Sequence, residues 1–296
     1  MLSAQIALNA VALGAAYALV AIGFVLVLNA TTAVNFAHGE SVVAGGFAAV
    51  ALTGIFPGIW PGVVPGILLL PGVLLLTALL GLAIAGLAYL PIRKRPKVSV
   101  FVTTIAFGII VANGLNAGFG AAPRTAPALL GSGTVEILGI TASRQSLAII
   151  ATAVILVGAL AFVLQRTQLG RHFRACAQDP EMARALGIRL TRMTLLGFAL
   201  GTAFAGAAGL LLAHQFFVTP SDGASLILKA YIAVVIGGWG SLRGAALGAL
   251  LIAVFEVAVA SIASQPMAEG LLYATVLLVL LVRPEGIFGE PQRLRA

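Results

Sequence analysis

Long apolar runs alternate with short polar breaks along nearly the whole chain. The first run, Ile6 to Leu28, carries no charge. A polar break follows at Asn29 to Glu40, and then a Gly/Ala-rich segment, Ser41 to Phe56. The stretch Pro57 to Gly66, PGIWPGVVPG, cannot continue a helix, because proline lacks an N–H and its ring clashes with the preceding turn. Trp60 within it suits a membrane–water interface. Ile67 to Ile92 is a long run with Pro71 near its start, where proline is best tolerated. Val100 to Phe119 and Ser146 to Leu164 flank a polar, Pro/Gly-rich loop, Ala121 to Gln145, with a short strand or hairpin expected around Val135 to Ile140. Arg166 to Arg192 is the longest polar interruption. Met193 to Ala213, Leu226 to Ile236, Ala245 to Ser264 and Leu271 to Val282 complete the set.

A run of roughly 20 apolar residues is long enough to cross a bilayer as a helix. The pattern predicts an all-α, polytopic membrane helical bundle of about 8–9 transmembrane segments, forming a single domain over residues 1–296. Two segments, Ser41 to Phe56 and Leu226 to Ile236, are weak. Both adjoin Gly-rich breaks and read as broken or half helices.

The basic residues orient the bundle. Arg93, Lys94, Arg95 and Lys97 share one loop. Arg166, Arg171, Arg174, Arg184, Arg189 and Arg192 share another, and Arg283, Arg293 and Arg295 lie in the tail. The positive-inside rule places all three in the cytoplasm and, by counting back, the N-terminus outside.

Composition removes whole classes of function. The chain is 60% hydrophobic and only 9% charged, with a mean hydropathy of +1.10. A soluble domain carries about 25% charged residues, so lipid must cover this surface. The net charge of +8 sits beside apolar runs, which fits topology and not a nucleic-acid partner. The single cysteine, Cys176, allows no intrachain disulfide and reads as a small neutral residue. The N-terminus lacks a basic stretch before its apolar run, so a first span is expected there and not a removable signal.

Enzyme chemistry finds no foothold. There is no G-x-x-x-x-G-K-[ST], H-E-x-x-H or G-x-S-x-G, and the lysines are only Lys94, Lys97 and Lys229. No catalytic residue, cofactor or metal site is expected, and His38, His172 and His214 fall in different segments. What the longest polar interruption does contain is a capped helix. Asp179 serves as N-cap. Pro180 sits at the first helical position, where its missing N–H costs nothing. Glu181 adds negative charge at the positive end of the macrodipole, and Gly187 ends the helix after Leu186. Met182, Ala183 and Leu186 share a small apolar face. The helix is either an ordinary loop helix packed on its own bundle or a docking element for a soluble partner.

Four stretches carry a resemblance to the inner-membrane permease subunit of ABC importers for branched-chain amino acids. They are Asn35-Phe-Ala-His-Gly-Glu40, Arg174 to Ile188, Leu228 to Gly244, and Val282 to Gly289. In this order and spacing they are specific. The resemblance implies that Glu181, Ala183 and Gly187 match the E-A-A-x-x-x-G coupling motif, with Met182 replacing the first alanine. It further implies a docking role for Asp179, Glu181, Met182, Ala183, Leu186 and Gly187 against an ATPase. The partners so implied are a homologous second permease subunit, two ABC ATPase subunits and a periplasmic substrate-binding protein. The location implied is the inner membrane, with the C-terminus cytoplasmic. The substrate implied is leucine, isoleucine or valine. Urea, short amides and aromatic acids are substrates of close relatives, and an ion-coupled secondary transporter is the alternative of another class.

Polar residues in apolar surroundings are the remaining candidates, because each must face water, protein or substrate. Asn35, His38 and Glu40 either cap a broken helix or line the pathway, and Gly39 permits a bend between them. Gly237 to Gly244, with Trp239 and Arg243, has a similar Gly-rich character. Glu256 lies inside AVFEVAVA, either paired, with Lys229 or an asparagine, or open to a water-filled path. Asn113 and Asn116 are expected to bond between helices. Gly114/Gly118, Gly197/Gly201 and Gly244/Gly248 have the spacing of close helix crossings.

Overall fold

The structure is a computed structural model that describes residues 2–55, 64–131, 133–137 and 140–282. Among these residues are eleven α-helices and one hairpin. They are α1 (Leu2–Thr31), α2 (His38–Ile55), α3 (Gly66–Ala83, continued by a π-turn over Ile84–Tyr89), α4 (Lys97–Phe119), β1 (Thr134–Ile137), β2 (Ile140–Ser143), α5 (Arg144–Arg166), α6 (Gln168–Gln178), α7 (Pro180–Ala185), α8 (Leu190–Gln215), α9 (Gly223–Gly237), α10 (Leu242–Ile262) and α11 (Gln265–Val282). The all-α, multi-pass expectation holds. Six helices are long and apolar enough to cross a membrane: α1, α3 with its π-turn, α4, α5, α8 and α10. The apolar helices α2, α9 and α11 are shorter, at 18, 15 and 18 residues.

Side-chain caps set several helix starts. Ser143 accepts from the amides of Gln145 and Ser146 at the start of α5. Thr167 does so from Gly170 at α6, and Ser241 from Gly244 at α10. Each cap satisfies amides that the first turn leaves without partners. The hairpin pairs antiparallel with Thr134 opposite Ser143, and so extends further than the sequence suggests. The Pro57-to-Gly66 stretch with Trp60 lies mainly, and the tail from Arg283 wholly, outside the described residues.

One end of the bundle is basic. There Arg93 donates to the Thr191 hydroxyl (2.8 Å), and Tyr89 donates to the carbonyl of Thr31 at the end of α1 (3.3 Å). At the other end the loop before the hairpin is stitched to the rest. Gly66 bonds Ala128 (2.8 Å), Ala126 bonds Ala213 (3.0 Å), and Arg124 pairs with Val218.

Helix α8 is the hub. It packs on α1, α2 and α3, and an unbroken run from Gly201 to Ala213 is buried. Its small residues make this possible. Gly201 meets Gly23 of α1 backbone to backbone, and Gly197 lies against Ala30 and Phe173. Gly244 and Gly248 likewise sit on the backbone of α9. The third pair departs from expectation. An added Cβ on Gly114 or Gly118 would meet nothing, and Asn113 bonds back to Ile109 of its own helix. That face of α4, Asn116 included, is exposed.

The expected break at Asn29 to Glu40 is shorter than predicted. Helix α1 continues to Thr31, and α2 begins at His38, so His38, Gly39 and Glu40 are helical. Gly39 is therefore not a bend. An added Cβ there would strike the backbone of Gly223, the first residue of α9. Helix α2 starts beside Val20, deep in α1, and α9 starts against α2. From that shared interior point they run to opposite ends. Leu52 of α2 reaches Gly72 of α3, whereas the turn after α9 bonds Asn29 of α1. A 15-residue helix is about 22 Å long, short of the roughly 30 Å apolar core, which is consistent with an interior start.

Candidate functional site

The first candidate surface is at the basic end. Thr167 interrupts the chain after α5, and α6 follows, an amphipathic helix that buries Gly170, Phe173 and Cys176. The sequence reading missed it, although Phe173 and Cys176 stand three apart on one face. Helix α7 then starts as expected. The Asp179 carboxylate accepts from the amides of Glu181 and Met182, each at 3.0 Å, and Pro180 is at the first position. Its end is equally determined. Gly187 has φ +84°, the amide of Ile188 bonds the carbonyl of Ala183, and the amide of Gly187 bonds Arg184. That is a Schellman closure, which needs a left-handed residue and so favours glycine.

The expected apolar face of α7 divides in two. Ala183 is buried and packs with Cys176 and Met193 in a small cluster of α6, α7 and α8 residues. Met182 and Leu186 point away, 58% and 73% exposed. Glu181 and Arg184 are exposed as well. Helix α7 is thus fixed on one side and presents two large apolar side chains on the other. Burial pushes the Cys176 thiol above its usual pKa, which suits an inert packing residue.

The second candidate region is the interior. Asn35 closes the turn just before α2, its side-chain oxygen accepting from the Ala37 amide at 3.1 Å. His38 is fully buried and its Nε2 lies 3.0 Å from the carbonyl of Val20. A carbonyl only accepts, so Nε2 carries the proton. The Nδ1 atom of His38 and the Nδ2 atom of Asn35 are buried with no partner. Phe24 meets the His38 ring edge-on at 5.9 Å. Glu40 lies in the first turn of α2 with its carboxylate against Gly223 and towards Gly108 of α4. The positive ends of two helix dipoles therefore converge near it.

Lys229 and Glu256 meet, as one of the sequence alternatives has it. Lys229 Nζ donates to Glu256 Oε1 at 2.8 Å, and also to Glu269 Oε1 at 3.0 Å and the Tyr17 hydroxyl at 3.1 Å. Tyr17 donates to the other oxygen of Glu256 at 3.1 Å, and Gln265 donates to Oε1 at 2.6 Å. Four helices, α1, α9, α10 and α11, thus contribute to one polar knot, in which Tyr17, Lys229 and Glu256 are buried and Glu269 and Gln265 of α11 are not. Tyr17 and Glu269 were not foreseen. Tyr17 reads as an ordinary aromatic in an apolar run, and Glu269 as loop before a span. A cavity of about 330 Å³ opens onto the knot.

Trp239 and Arg243 lie elsewhere. The Gly237-to-Gly244 turn is at the basic end, where its Gly240 carbonyl accepts from Asn29 at 3.0 Å. Trp239 is half exposed and meets Tyr231 edge-on, and Arg243 is exposed. The structure does not bring these two to the interior polar groups. Among the described residues no cluster of ligating side chains could hold a metal.

Comparison with known proteins gives a consistent answer. Residues 6–281 match the family described as branched-chain amino acid transport system / permease component. The chain is 32% identical to the high-affinity branched-chain amino acid transport system permease protein LivH of Salmonella typhimurium, over 96% of this chain and 94% of that protein. The same figures hold for LivH of Escherichia coli. For BraD of Pseudomonas aeruginosa, a permease protein of the same description, the identity is 30% over 96% of this chain and 95% of that one. No solved structure matches.

Proposed function

The chain belongs to the branched-chain amino acid transport permease family, and from that premise we propose that it is one membrane half of an ATP-driven importer of leucine, isoleucine and valine. Residues 1–296 act as one permease domain beside a homologous second permease. Two ATPase subunits bind the basic, cytoplasmic end, and a periplasmic binding protein delivers substrate at the other. The C-terminus is cytoplasmic and the membrane is the inner one.

The observation that carries this reading is α7. A six-residue helix stays rigid only with both ends fixed, and here Asp179 fixes one and Gly187 the other. Ala183 anchors it, while Met182 and Leu186 stand free to enter a groove on an ATPase. The chain itself carries no phosphate-binding loop, so nucleotide-driven motion has to enter through such a contact.

The test is co-expression with candidate ATPase subunits, followed by co-purification and leucine uptake. Wild type is expected to retain the ATPase, and Met182→Asp with Leu186→Asp to lose it and to abolish uptake. Uptake that survives ATP depletion while a proton gradient is maintained defeats the reading and favours ion coupling.

A further inference from the structure

The polar knot of Lys229, Glu256 and Glu269 forms one wall of the 330 Å³ cavity, within the roughly 300–1,000 Å³ range of small-molecule sites. Its charges do not cancel. One ammonium faces two carboxylates, and all three Lys229 donors are already used, on Tyr17, Glu256 and Glu269. Glu256 is almost fully buried and both its oxygens are occupied. Glu269 differs. Its side chain is 35% exposed and only Oε1 is bonded to Lys229. The surplus negative charge therefore faces the cavity through Glu269. A ligand that completes this site brings a cation with N–H donors.

The remaining walls select the rest of the ligand. Leu13, Val42, Val43 and Leu226 give an aliphatic surface. Phe216 and Phe217 also line the cavity and are exposed. Asp222 lines it too, but its carboxylate is held by the amide and hydroxyl of Thr219, each at 2.7 Å.

We propose that this cavity is a binding site for an aliphatic amino acid, its α-ammonium on Glu269 and its side chain against Leu13, Val42, Val43 and Leu226. The α-carboxylate stays in water at the mouth beside Phe216 and Phe217. This assignment rests on the import reading and adds a substrate site within the permease itself. A partly exposed carboxylate suits such a station, because a charge-assisted bond there is strong enough to orient a ligand and is still reached by water.

Saturation-transfer difference NMR on the full chain in lipid nanodiscs tests it with three probes. L-leucine and isoamylamine both carry the ammonium, and isocaproate lacks it. Leucine and isoamylamine are expected to bind at millimolar concentrations and isocaproate not. Glu269→Gln removes the surplus charge and leaves the Lys229–Glu256 pair intact, so the knot becomes neutral and no bare charge is buried. It should weaken both ammonium probes about tenfold, and Glu269→Asp should restore part of the loss. Leu226→Trp, checked for a monodisperse elution profile, should block both. Isocaproate binding as well as leucine, an effect of Glu269→Gln below twofold, or no binding at all overturns the site. Leucine uptake by the assembled importer is measured in parallel. Glu269-dependent binding without uptake sinks the import reading and leaves the site standing. Uptake without binding does the reverse.

Discussion

Removing the ammonium from the polar knot should be far worse than removing the whole ion pair. In Lys229→Met the aliphatic stem is kept and three donors are lost at once. Glu256, 2% exposed, then holds a charge balanced only by the Tyr17 hydroxyl and the Gln265 amide. Breaking a buried pair from one side costs about 3–5 kcal/mol, because the other charge is left uncompensated. Glu269 adds little, since its side chain is a third exposed and water can reach it. In Lys229→Met/Glu256→Met no buried charge remains, and replacing a buried pair by apolar groups is often near neutral. In chains of this size each kcal/mol moves the midpoint by roughly 2–4 °C. The single variant should melt on the order of 10 °C below wild type, and the double variant should recover most of that. The assay heats detergent-purified protein and reads the monodisperse fraction by size-exclusion chromatography. A double variant as unstable as the single one, or a single variant within about 2 °C of wild type, refutes the reasoning.

Three further outcomes follow from other parts of the fold. Asp179→Ala removes the α7 cap, at about 0.5–2 kcal/mol of local stability. It should reduce ATPase retention and uptake together while leaving the melting midpoint of the bundle nearly unchanged. Gly223→Ala places a methyl about 2.5 Å from the Glu40 carboxylate, and Gly39→Ala drives one into the Gly223 backbone. Both should lower folded yield, Gly39→Ala the more, because backbone yields less than a side chain; normal yield of Gly39→Ala speaks against the interior meeting of α2 and α9. Cys176 should be slow towards iodoacetamide between pH 7 and 9, since burial raises its pKa and leaves less thiolate than a free cysteine has at the same pH. Mass spectrometry should find it labelled only after denaturation.

Much of this was readable from residues whose effect is local. Asp179, Pro180 and Gly187 act within one turn of their own positions; α7 starts where predicted and ends one residue earlier, at Ala185, with Gly187 in its expected closing role. Hydropathy located the long helices, because each is longer than a bilayer core is thick. Effects that depend on distant partners were not readable. Gly39 looks like a bend in one dimension and is a contact with residue 223 in three. Gly114 and Gly118 have the spacing of Gly197 and Gly201, but only the latter face another helix of the same chain. Glu256 called for a partner, and the sequence offered Lys229. It could not show that Tyr17, 239 residues away, completes the knot.

The short link from α7 to the hub helix has a mechanical consequence. Only Leu186 to Arg189 separate the last residue of α7 from Leu190, and the Schellman closure holds part of that link rigid. Ala183 and Met193 lock the joint from the side. Under the importer reading, load applied at Met182 and Leu186 therefore meets a joint with almost no slack. It passes into α8, which is walled in by α1, α2 and α3 over most of its length. A helix bordered by lipid could yield by displacing acyl chains. One bordered by backbone can yield only by carrying its neighbours along. The stroke length at α7 and the displacement of the interior meeting point of α2 and α9 should then be nearly the same number.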